Sequence, residues 1–165
     1  MLNRWLPYVI SFVILTGSAS FAAQSVPPPG PAVTCPICNM FVARYPGWIA
    51  TVSYKDGTTH YFDGAKHLFK YLLDMEKWAP DRTVETIKSM TVESYPGGDQ
   101  IDGRTAYYIF GSDVLGPMGH ELVPFSSEEE AQKFLQEHKG KGMKRFDDVD
   151  QKFLMNLHKG IFNSE

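Results

Sequence analysis

Two short stretches of this 165-residue chain concentrate soft metal donors. The first, Cys35-Pro36-Ile37-Cys38-Asn39-Met40, holds both cysteines of the protein and a methionine two places beyond the second. A Cys-x-x-Cys pair serves several chemistries. In an exported chain it forms a structural disulfide. A thioredoxin-like redox pair needs a strand running into it and a helix leaving it, whereas here a proline-rich lead-in precedes it and a Pro-Gly turn follows. Covalent haem needs His directly after the second cysteine, and Asn39 stands there. A Cys₄ zinc site lacks its second pair, although a Cys₂ knuckle completed by His stays open. The remaining reading is Cu(I), since the Cys38 thiolate and the Met40 thioether are both soft donors, with Cys35 as an additional thiolate.

The second stretch is Gly111-Ser112-Asp113-Val114-Leu115-Gly116-Pro117-Met118-Gly119-His120-Glu121. Its glycines and proline place Met118 and His120 in a loop between two strands, not on a packed stripe. Thioether and imidazole from this loop would complete a three- or four-coordinate Cu(I) site if it folds over Cys38 and Met40. His60, on a hairpin strand near the first motif, is a substitute ligand. His67 lies off its helix stripe and reads as solvated, while His138 lies on one and reads as core. Helical or strand patterning accounts for Met75, Met90 and Met155 as packing residues. No paired carboxylates, Ser/His/Asp set or activated nucleophile occurs, so the chain reads as a non-enzyme.

The elements that must position these donors fall into two halves. Ile49–Tyr54 and Thr58–Phe62 read as a hairpin about Lys55-Asp56-Gly57. Asp63 is placed to cap a helix with apolar residues at Ala65, Leu68, Phe69, Leu72 and Met75. Thr86–Tyr95 supplies another strand. In the second half Arg104–Phe110 and Glu121–Phe125 are strands, and Ser126-Ser127 with Glu130 forms a capping box. A helix carrying Ala131, Phe134, Leu135 and His138 follows, then a strand over Met143–Val149 and a tail helix with Phe153, Leu154 and Leu157. The expected fold is α+β, with ββαβ-type halves over 33–97 and 98–165 packed together because neither buries a sufficient core alone.

Composition narrows the classes. Hydrophobic residues make up 43% and charged residues 21%, which suits a packed domain. With 16 Lys+Arg against 19 Asp+Glu the net charge is −3, and no basic run exceeds Lys144-Arg145, so nucleic acid is not an expected partner. Residues 1–22, with Arg4, an apolar run from Leu6 to Leu15 and a small-residue ending, read as a cleavable export signal. The run is short of a membrane span, which counts against an uncleaved anchor. No cysteine stands near the cut for lipid attachment. Residues 23–32, rich in proline, read as an extended spacer.

Three stretches together carry a family resemblance: Cys-x-x-Cys-x-Met, Tyr61-Phe62-Asp63-Gly64, and Ala106-Tyr107-Tyr108 running into Gly111–Leu122. Over roughly residues 33 to 150 the chain resembles the NosL family, the copper-binding accessory proteins of nitrous-oxide reductase maturation. The resemblance implies a fold similar to that of organomercurial lyase and a periplasmic metallochaperone that carries Cu(I) to a maturation complex or other copper acceptor protein. It also implies that Cys38 and Met40 match the family's copper motif and Met118 and His120 its glycine-rich loop. The competing functional reading is a thiol-disulfide oxidoreductase on Cys35 and Cys38. A lyase-like enzyme rests on fold analogy alone.

Overall fold

Period-two alternation in Ala50-Thr51-Val52-Ser53-Tyr54 sends Ala50, Val52 and Tyr54 to one face and Thr51 and Ser53 to the other. In a computed structural model that describes residues 25–162, this segment is the strand β1 (Ala50–Tyr54). It pairs antiparallel with β2 (Thr59–Phe62) and, on its other side, with β3 (Ile87–Glu93). Hydroxyl pairs mark the polar face, Thr51 to Thr91 at 2.7 Å and Ser53 to Thr59 at 3.0 Å. The short strand β4 (Gln100–Asp102) completes a sheet of order β2-β1-β3-β4.

The second half repeats the pattern. β5 (Tyr107–Phe110) lies between β6 (Leu122–Phe125) and β7 (Gly142–Lys144), again antiparallel on both sides. Pro124 cannot donate to a ladder, and β6 is an edge strand. In each sheet the strand β1 or β5 is flanked by the next strand in sequence and by the strand that follows the helix, while β4, although it lies past residue 97, joins the first sheet. The two ββαβ halves thus share one topology. The helices are α1 (Ala65–Leu72), α2 (Met75–Trp78), α3 (Glu128–Glu137) and α4 (Gln151–His158). Of the predicted capping box the Ser127 cap is present: its Oγ accepts the Glu130 N–H, and the Ser126 and Ser127 hydroxyls donate to the Glu130 carboxylate.

The main core draws on both halves, with Tyr54, Phe62, Leu68, Phe69 and Tyr71 from the first and Tyr108, Leu122, Leu154 and Leu157 from the second. At roughly 1.5–3 kcal/mol for each fully buried large side chain, these contacts hold the halves together. A smaller cluster of Ile109, Val123, Phe125, Ala131 and Phe134 lies under α3.

Four expectations need correction. Pro-rich residues 25–32 are not a free spacer: Val26 exchanges two hydrogen bonds with the Gln100 amide, and the Tyr61 hydroxyl donates to the Pro27 carbonyl. One bond from the Val26 N–H and two to the Val26 and Pro27 carbonyls strap the segment to β4 and β2. The strand expected over 143–149 stops at Lys144, because Asp148 accepts the Arg145 N–H and closes a 3₁₀ turn over Phe146–Asp148. His138 is half-buried, stacked on Phe134 and bonded to Asp113. Met155 is 58% exposed, so packing does not explain it. The expected signal segment, 1–22, lies outside the described residues.

Candidate metal centre

Residues 33–42 fold into a small hairpin that carries both cysteines. Thr34 and Phe41 form its bridge, and the Val42 N–H donates to Val33. Inside it the Cys35 N–H donates to the Met40 carbonyl and the Asn39 N–H to the Cys35 carbonyl. Asn39 takes φ +62°, the left-handed region that asparagine tolerates better than most residues. The backbone N–H of Ile37 faces the Cys35 sulfur, and that of Met40 faces Cys38. This knuckle directs two sulfur atoms toward one point, with amide donors able to stabilise their anions.

The junction of β2 and α1 supplies the opposite wall. Asp63 does not cap α1; Gly64 holds the cap position without a side-chain bond. The Asp63 carboxylate instead receives His67 Nδ1 at 2.8 Å, one helical turn on, and the Cys38 thiol at 3.3 Å. His67 Nδ1 is also 3.6 Å from Cys35 Sγ. One donor atom from each of Cys35, Cys38, Asp63 and His67 lies within 4.8 Å of all the others. Ligands bound to one ion at ~2.3 Å lie at most ~4.6 Å apart, so a small contraction suffices to close the set around a metal.

His67 is the correction with most consequence. It is buried, at 7% exposure, because α1 packs on the first sheet, on β6 and on α4 at once. A helix covered on several sides buries residues off its apolar stripe, here Lys66 and His67. The signal available in the sequence was the i,i+4 spacing of Asp63 and His67 across a helix start.

Burial pushes the Cys35 and Cys38 thiols up, and the Asp63 carboxylate adds to this. Burial also raises Asp63 itself, but hydrogen bonds from His67 and Cys35, with the nearby His67 charge and Cys38, outweigh that and hold it at about 2. Both cysteines are free.

The glycine-rich loop adjoins this cluster. Lys66 Nζ donates to the carbonyls of Met118 at 2.8 Å and His120 at 2.5 Å. The buried Glu121 carboxylate accepts the N–H groups of Lys66 at 2.6 Å and Leu122 at 2.9 Å. Met118 lines the same cavity, about 390 Å³, as Cys38 and His67. The His120 ring packs edge-on against Phe162, 5.0 Å between centroids, with Nδ1 buried and without a hydrogen-bond partner; it is not part of the donor cluster. Met40 is half-buried and meets Cys38 through its backbone N–H. His60 stands apart, its ring between Tyr54 and Tyr71 at 5.5 Å from each.

The Lys66 ammonium on the loop carbonyls and the Glu121 carboxylate on the Lys66 and Leu122 amides form a latch between α1 and the loop, and it gives Gly64 a packing role. A Cβ there would lie 2.3 Å from Glu121 Oε2, and that carboxylate is fixed by two amide bonds. Gly64→Ala is therefore expected to destabilise the protein by about 1–3 kcal/mol, as overpacking does. Chemical denaturation checks this, and an unchanged midpoint contradicts the latch.

Two thiols, an imidazole and a carboxylate on a two-sheet α+β scaffold define a class: small proteins with a sulfur-rich site able to hold a transition metal. The chain belongs to the NosL family, which it matches over residues 29–154. It is 27% identical over 121 residues to the copper-binding lipoprotein NosL of Stutzerimonas stutzeri, covering 73% of this chain. The chain spans 63% of the length of that relative. The crystal structure of the copper chaperone NosL from Shewanella denitrificans superposes with a TM-score of 0.62 at 26% identity, covering 79% of this chain and 97% of the other. The solution structure of apo-NosL from Achromobacter cycloclastes gives a TM-score of 0.45 at 24% identity, covering 64% and 87%.

Proposed function

We propose that this chain is an exported Cu(I) carrier without catalytic activity, which binds the ion at the Cys35–Cys38 knuckle and passes it to a copper acceptor in nitrous-oxide reductase maturation. One observation carries the reading: both sulfurs converge with His67 and Asp63 within 4.8 Å, beside a cavity into which Met118 also faces. The relatives' names, a copper-binding lipoprotein and a copper chaperone, support the same ion and an envelope location.

Cys38 and Cys35 are the proposed anionic donors, with Met118 and His67 beside them. Zinc makes little use of a thioether, so Met118 favours Cu(I). Asp63 is a hard donor and serves by holding His67 and the Cys38 proton. Met40, two residues past Cys38, and His120, two past Met118, are exchange ligands that replace one of these four donors rather than add to them, which keeps the ion at three or four ligands. His120 reaches the ion only by turning its ring off Phe162. A docking partner that offers one soft ligand can then displace these donors one at a time.

The rival, a thiol-disulfide oxidoreductase, requires a thiolate at neutral pH. Burial, with Asp63 alongside, pushes both thiols the other way, and only a 3₁₀ turn, Val42–Arg44, follows the pair.

The same protonation state gives the test. Because both thiols carry their protons at neutral pH, Cu(I) must displace them. Raised values mean that proton competition extends through neutrality, so affinity falls as pH falls. Across roughly pH 6 to pH 8, anaerobic competition against a chelator is expected to show affinity rising about 100-fold per pH unit, tenfold for each proton released. A slope near one proton assigns the ion to a single thiolate. A flat profile contradicts thiolate ligation.

A further inference from the structure

We propose that this chain has a second, weaker Cu(I) station, formed by Met155 and His158 of α4 on the cavity that Cys38 and Met118 also line. The Cu(I) reading above is used here only for the identity of the ion.

α4 buries Leu154 and Leu157 in the core and packs Phe153 on Phe110, with 5.0 Å between ring centroids. Those contacts account for the helix, and Met155 is not among them at 58% exposure. Positions 151, 154, 155 and 158 share a helix face, since residues three and four apart are neighbours. That face lines the cavity, which Cys38, His67 and Met118 line as well. Met118 is itself 37% exposed. Two thioethers and an imidazole therefore border one space of about 390 Å³ that also reaches a thiol of the knuckle.

The surrounding charge selects the ion. Lys66, Lys70 and Lys159 line the cavity against Asp74. Their repulsion is twice as large for a divalent ion as for a monovalent one at the same place. Hydrated hard cations have no oxygen cage here to offset it, whereas thioether and imidazole suit Cu(I). Movement between stations is ligand exchange without redox change: the Cys38–Cu bond is replaced by bonds to Met155 sulfur and His158 nitrogen, and the released thiolate regains a proton. Both α4 donors lie beyond residue 154, where the match to the family ends.

The test uses Cu(I), and Ag(I) as an air-stable surrogate, added as the metal alone to protein with ¹³C-methyl-labelled methionine. The second equivalent is expected to move the Met155 methyl signal and the His158 ring signals. The second binding step itself should be lost in the double variant Met155→Leu/His158→Gln, which should still bind its first equivalent as the parent does. These side chains are exposed, and far-UV circular dichroism checks that the variant folds. If the second equivalent moves neither residue, or the variant titrates like the parent, the second station is overturned. A Cys35→Ser/Cys38→Ser protein separates the two readings. Loss of its first, tight step with retention of the Met155 response supports both sites. An unchanged first step overturns the thiol site, while the second station still stands or falls on Met155 and His158.

Discussion

Cys38→Ser is expected to weaken Cu(I) binding by on the order of 10²–10³-fold, one ligand's share of the roughly 10–16 kcal/mol that a complete thiolate-rich site contributes. The serine hydroxyl is a hard donor that does not ionise near neutral pH, so it replaces neither the softness nor the charge of the thiolate. Cys38 is only partly buried, and serine can still donate to Asp63 in place of the thiol. The fold is therefore expected to survive, which separates loss of binding from loss of structure. Competition titration reads the first and thermal denaturation the second. Parent-like affinity in Cys38→Ser contradicts the assignment of that residue.

Lys66→Met is expected to have the largest effect on stability. Lys66 is 3% exposed, and its ammonium satisfies two carbonyls of the Met118–His120 loop while its charge faces the buried Glu121. Removing it leaves an uncompensated buried carboxylate and two carbonyls without their donor, a loss of about 3–5 kcal/mol. For a chain of this size that corresponds to a fall in Tm of about 10 °C or more. Burial already pushes the Glu121 carboxyl up. A raised folded-state value means protonation favours the native protein, so the deficit should shrink as pH is lowered and reopen as pH rises. Lys66→Met/Glu121→Gln removes the orphaned charge and should recover part of the loss. If the double variant falls by the sum of the singles, the two residues do not act as a pair.

Most strands and helices were legible because their periodicity is local. Ala50–Tyr54 alternates, and Ser127 with Glu130 forms a cap from four consecutive residues. What the sequence hid depends on contacts between the halves. The burial of His67 follows from β6 and α4 closing over α1, and no property of residues 65–72 alone announces it. Asp63 looked like a helix cap because that is the commonest use of Asp before a helix. Two thiols and an imidazole, brought close by the Cys35–Cys38 hairpin, compete for the same carboxylate. The three-residue strand Gln100–Asp102 is too short to show alternation, and the strapping of Val26 depends on Gln100, 74 residues away. For the site, the sequence pointed to the knuckle and to the Met118–His120 loop but not to Asp63 and His67. The loop carries Met118 to the cavity and places the His120 ring against Phe162.

Copper K-edge X-ray absorption on the anaerobically loaded protein reads the ligands of the ion itself. A Cu(I) edge and two or three sulfur scatterers at ~2.3 Å, a typical metal–thiolate length, are expected, with one fewer in Cys38→Ser. A first shell of nitrogen and oxygen alone, unchanged by that substitution, would contradict thiolate ligation.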